Sequence, residues 1–140
     1  MTSGIAGPSG ISFGPTSSGK HYISLHRHRG SGTTKHKSTW IRSFPPKSEF
    51  GLFCSADDGN WKDGTGNYWG AEPGAPVLGV DGERLAKFPM VTNRTDPWHG
   101  FPFTLIGTPR AGPSDETVDA WVAATVITEV VASKIRRRRV

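Results

Sequence analysis

The sequence predicts an α+β fold. Antiparallel β-hairpins form a sheet, one C-terminal α-helix packs on it, and a flexible Gly/Ser/Pro-rich arm precedes it. Three observations predict this. Asp81-Gly82 lies between two strand-like arms. Ser114-Asp115-Glu116 precedes valines and a tryptophan at three- and four-residue spacings. The first twenty residues are dominated by small and turn-forming types, with Ile5, Ile11 and Phe13 as the sizeable apolar groups. A chain of 140 residues has the length of one domain. The expected boundaries are an arm over 1–20, a single α+β domain over 21–135 and a basic tail over 136–140.

The elements follow in order. Residues 1–20 carry too little apolar surface to offset backbone ordering, which predicts an arm that orders only on a partner. His21 to His28 alternates at period two, with Ile23 and Leu25 facing one way, and reads as a strand. Arg29 to Lys37 is a basic Gly/Ser/Thr-rich loop. Thr39–Phe44 and Phe50–Ser55 read as two strands joined across Pro45-Pro46-Lys47-Ser48, a hairpin-length break. Ala56–Gly74 is turn-rich, interrupted by Trp61, Tyr68 and Trp69. Pro76 to Phe88 reads as a hairpin with a type I′ turn at Asp81-Gly82, where both central residues take positive φ. Phe101–Ile106 is a further strand. Ser114 is the N-cap of the final helix, with Asp115 and Glu116 at its positive end and Lys134 to Arg139 at its negative end.

Composition narrows the function classes. Seventeen Lys and Arg against twelve Asp and Glu give a net charge of +5. That balance favours phosphate-bearing partners, although the same charge also keeps a small domain soluble. Cys54 is the only cysteine, which excludes an intrachain disulfide and suits a reducing, cytoplasmic location. No apolar run reaches the roughly 18 residues that a membrane span needs, so no membrane partner is expected. The first residues show neither a basic n-region nor an apolar h-region, so no secretory signal is expected. Phosphate loops, dinucleotide fingerprints and nucleophile elbows are missing, and no cofactor is expected.

Two constellations carry candidate chemistry. In Thr95-Asp96-Pro97-Trp98-His99-Gly100-Phe101-Pro102-Phe103, two prolines stiffen the backbone around a titratable imidazole. His99 would be the acid or base, Asp96 its orienter and Arg94 a phosphate holder. The alternative is purely structural, with the aromatics as core and Asp96 capping a turn. The second constellation is basic. Arg27, Arg29, Lys35 and Lys37, together with Arg136, Arg137, Arg138 and Arg139, would contact a polyanion, with Trp61 and Trp69 stacking on bases. Core packing accounts for the tryptophans equally simply.

The histidines His21, His26, His28 and His36 lack acidic neighbours and stand among cations, so no metal site is expected. The Asp58-to-Asp63 stretch places Lys62 and Asp63 where a calcium loop needs a ligand and a glycine, and Asx turns explain it better.

Three functions remain. The first is a small basic module that binds nucleic acid or another polyanion. The second is a metal-independent hydrolase or nuclease working through His99 and Asp96, so enzymatic activity stays an open alternative. The third is a non-catalytic subunit whose arm and tail order on a protein partner or on further copies of the chain.

Overall fold

The computed structural model describes residues 4–30 and 38–140. Its order is β1 (Ile5–Ala6), β2 (Gly10–Phe13), β3 (Tyr22–Leu25), a 3-10 turn (His26–His28) and α1 (Pro46–Gly59). Then come β4 (Tyr68–Gly70), β5 (Leu85–Phe88), β6 (Phe101–Phe103), α2 (Asp115–Ala123) and α3 (Glu129–Arg136). Two three-stranded antiparallel sheets result, β1-β2-β3 and β4-β5-β6. The fold is α+β as expected, but the described residues hold two sheets and three α-helices where one sheet and one helix were expected.

The second sheet organises the core because side chains alternate across a strand. Tyr68, Ala86 and Phe88 leave one face and join Phe53, Leu52 and Trp98 under α1. Trp69 and Leu85 leave the other and join Val118, Trp121, Ala132 and Ile135 of α2 and α3. A three-stranded sheet covered on both faces has few polar positions, and its three strands hold one charged residue, Lys87. The Lys87 ammonium lies 5.6 Å from the Trp69 ring and 5.2 Å from the Phe103 ring, a cation–π seat that keeps its charge attracted among aromatics.

The expected strand Phe50–Ser55 is the middle of a helix. Pro46 stands at the first helical position, where its missing N–H costs nothing. Glu49, Leu52, Phe53 and Ala56 recur at helical spacing and are buried. Asn60 closes α1 in the left-handed conformation. A six-residue apolar run does not by itself distinguish the two periods. Pro45-Pro46 was the start signal and Asp57-Asp58-Gly59-Asn60 the stop.

Three further expectations change. Residues 10–13 of the presumed arm pair with β3 in register from Gly10–Leu25 to Phe13–Tyr22. The loop after them is tied to the end of α1. Asp57 accepts from Thr16 at 2.9 Å, Ser18 at 2.5 Å and Lys20 at 2.9 Å. Burial alone would raise the Asp57 pKa, and these bonds overcome it and hold the carboxyl below its ordinary value.

The turn lies one residue earlier than expected: Gly82 N–H to the Gly79 carbonyl at 3.0 Å closes it around Val80-Asp81, and only Gly82, which follows them, has positive φ, so it is not type I′. Its arms also part. Leu78 and Val80 bond to Ile41 and Thr39, while Leu85–Phe88 enters the second sheet. Thr39–Phe44 is therefore no strand beyond an isolated bridge between Trp40 and Gly79.

The single C-terminal helix is two. Ser114 caps α2 through Thr117 N–H at 3.1 Å, as expected. The chain then breaks at Thr125, which has φ 58°, and restarts where Thr128 caps Val131 at 3.2 Å. The break turns Val126 and Ile127 into the core. Five β-branched residues over 122–128 (Val122, Thr125, Val126, Ile127 and Thr128) lower helix propensity there.

Candidate functional site

The chain after β3 sorts its cations by direction. The 3-10 turn leaves Arg27 exposed, buries His28 and aims Arg29 inward. Arg29 Nε donates to Glu49 Oε2 at 2.7 Å, its Nη2 lies 2.5 Å from the same oxygen, and its fork reaches the Phe44 carbonyl. Tyr22 and Ser24 complete the carboxylate at 2.6 and 2.5 Å. Glu49 has no exposed surface. Burial raises its pKa, opposed by the Ser24 and Tyr22 bonds and the Arg29 charge. A buried ion pair survives only with its lone pairs satisfied, and here three side chains satisfy it through four contacts. Arg29, expected as a polyanion contact, is thus spent inside the fold.

The Pro97–Pro102 loop is pinned to β3. Trp98 N–H donates to the His21 carbonyl at 2.8 Å and Ile23 N–H to the Trp98 carbonyl at 2.8 Å, which extends the free edge of β3. Alternation then points Trp98 into the core and leaves His99 half-buried on the opposite side. Gly100 is required because a Cβ there would run into the Phe88 ring.

His99, Arg27 and Asp96 line one cleft of about 410 Å³, with apolar walls from Ile23, Leu25 and Met90. His99 stacks on His28 at 6.3 Å, nearly parallel, and His28 stacks on Phe101 at 5.2 Å. His28 Nδ1 donates to the Ser38 carbonyl at 2.8 Å. Burial first, then the positive charges of Arg27 and His28, lower the His99 pKa to about 4. At neutral pH the imidazole is therefore uncharged, both donor and acceptor, and a poor proton abstractor. Asp96 is exposed and accepts from Thr92 at 3.3 Å, and no hydrogen bond joins it to His99. Arg94 is exposed and does not line the cleft. The structure thus brings His99 and Asp96 to one cleft without the orienting bond expected between them.

The remaining candidates divide. Trp69 is fully buried, its indole N–H donating to Asp63 at 2.8 Å, so it does not stack on bases. Trp61 is half-buried and meets Trp121 edge-on at 5.5 Å. Asp63 also accepts from Thr65 and Asn67, the Asx turn expected. In the tail, Arg136 binds Asp119 at 2.5 Å and lies 3.7 Å from Asp115, and Arg138 donates to the Ala111 carbonyl. Arg137 and Arg139 are exposed with no acidic partner among the described residues. Lys35, His36 and Lys37 lie outside the described residues.

Two features escaped the sequence reading. Glu49 falls between the segments read as a hairpin break and a strand, and Met90 in the connection between Phe88 and Phe101, so neither carried a local signal. Among the described residues, no three His, Cys, Asp or Glu side chains converge as a metal set. No helix there is long and apolar enough to cross a membrane. No protein-family model, curated protein or solved structure matches the chain.

Proposed function

We propose that the chain is a nucleic-acid-binding module centred on the cleft between β3 and the Pro97–Pro102 loop. The observation that carries this reading is Arg27, exposed at a cleft that also holds an uncharged imidazole and apolar walls. A guanidinium without an acidic partner keeps its donors for a phosphate. An uncharged imidazole and a thioether suit the face and edge of a base. In sequence, Lys35 and Lys37 follow Arg27 closely, and the exposed Arg137 and Arg139 add cations elsewhere. The half-buried Trp61 is held edge-on by Trp121 and takes no part.

The test is fluorescence anisotropy with labelled single-stranded and duplex oligonucleotides between about 50 and 200 mM salt, where counterion release weakens binding steeply. The expected result is salt-dependent binding that Arg27→Ala weakens. Absent or salt-insensitive binding overturns the proposal.

The hydrolase alternative loses ground on two points. A base with a pKa of about 4 is largely mismatched to neutral pH, and Asp96 does not orient it. The assembly alternative loses the arm on which it relied, since residues 10–13 are paired within the chain.

A further inference from the structure

A second cleft, of about 660 Å³, lies between the Gly79–Glu83 turn, the start of the loop after β6 and the end of α3. That volume is in the range of small-molecule sites. Three cations line it: Arg84, Lys134 and Arg139. None has an acidic side chain within ion-pair distance among the described residues. Arg84 Nη1 donates to the Ala75 carbonyl at 2.8 Å, which fixes the guanidinium plane and leaves its other donors unused.

The acid nearest these cations in sequence is engaged in the turn. Glu83 is buried, its Oε1 accepts from Asp81 N–H at 3.0 Å, and its carboxylate lies over Gly79, where a Cβ would collide with it. Asp81, the other acid lining the cleft, is exposed. Beside Thr104 the rest of the wall carries apolar side chains. Val131 and Val140 line it beside Ile106, which is 63% exposed although its neighbour Leu105 is fully buried. A large aliphatic side chain left open beside three cations that make no ion pair is a poor solvent surface and a good amphiphile surface.

We propose that this cleft binds a small amphipathic anion, an aliphatic phosphate monoester or carboxylate, with its head on the cations and its chain on Ile106 and Val131. The site is separate from the Arg27–His99 cleft and shares no lining residue with it.

The test is titration of the isotope-labelled full chain, followed by amide chemical shifts, with octyl phosphate, octanoate, inorganic phosphate and octanol. The expected result is saturable shifts around residues 82–84, 104–106 and 131–134 with octyl phosphate or octanoate, whichever head is preferred. Inorganic phosphate and octanol should each bind more weakly by about tenfold or more, since each lacks one half of the recognition. Lys134→Gln and Arg84→Gln should each weaken the preferred amphiphile by about tenfold, the loss of one charge-assisted hydrogen bond. Lys134 is exposed, so its variant decides the matter if the Arg84 variant fails to fold. His99→Ala should leave this binding unchanged. Equal affinity for inorganic phosphate, equal affinity for octanol, unsaturable shifts, or unchanged affinity in Lys134→Gln overturns the proposal.

Discussion

The segment 26–29 and the tail at 134–139 are both basic, yet they use their arginines differently. In each, some guanidiniums are held by internal partners and others face solvent. Arg29 enters the interior and joins Glu49, whose side chain is fully covered. Arg136 makes an equally short pair with Asp119, but that pair lies in water, with the two side chains 39% and 72% exposed. Identical chemistry at identical distance has different consequences because the surroundings differ. A carboxylate that has lost its hydration depends on its partner, while an exposed one is rescued by solvent.

The comparison breaks most decisively at Glu49. Arg29→Ala should cost about 3–5 kcal/mol, because it strands a buried carboxylate. Glu49→Gln, which keeps the shape and one acceptor, should cost less. Urea unfolding followed by tryptophan fluorescence measures both. A loss under about 1 kcal/mol for Arg29→Ala would place the pair in solvent-like surroundings after all.

The next effect is on binding. Arg27→Ala should leave the unfolding midpoint unchanged while lowering nucleic-acid affinity and reducing the salt slope by about one, since one phosphate contact is lost. Arg136→Ala should change the salt slope little, because Asp119 and Asp115 already neutralise that charge. Equal slopes for the two variants would erase the distinction between a free and a spent arginine.

A third effect appears in pH. His99 has its pKa lowered from 6.5 to about 4 in the folded chain, so between these values the unfolded chain binds more protons. The contribution of His99 is full above pH 6.5 and is lost as pH falls toward 4. Glu49 acts in the opposite sense, because its raised pKa withdraws stability as pH rises past its ordinary value. The readable quantity is therefore a difference. Relative to wild type, His99→Gln should lose less stability on going from pH 6.5 to pH 4. Parallel curves would show that the imidazole titrates as freely in the fold as outside it.

The smallest effect belongs to the tail. Asp119→Ala should cost under about 1 kcal/mol, the scale of exposed ion pairs, and less again at high salt. Calorimetry at two salt concentrations reads it.

Some of this was legible locally. Ser114 announced a helix start because a hydroxyl before two acids satisfies the first free N–H groups, and the bond to Thr117 has that form. Gly82 announced a turn because its backbone tolerates positive φ. Phe50–Ser55 misled because a short, mostly apolar run fits both periods, and the tie was broken only by Pro46 and Asn60 at the ends. The second helix start at Thr128-Glu129 carried the same signal as Ser114-Asp115-Glu116, masked by a run of valines that seemed to continue one stripe. At the site, the meeting of His99 with Arg27 was not legible, since it depends on Trp98 pairing with β3 some 75 residues earlier.

From the chain alone came its charge, its single thiol, the positions where the backbone must turn or stop, and the loop that displays His99. These follow from sterics and hydrogen bonds within a few residues, which any neighbourhood in the fold inherits. Tertiary structure alone decided that Arg29 is spent and Arg27 free, that Trp69 is core, and that the segment at 50–55 coils. Those outcomes depend on which distant group removes water from a side chain, and desolvation is a property of the assembled interior.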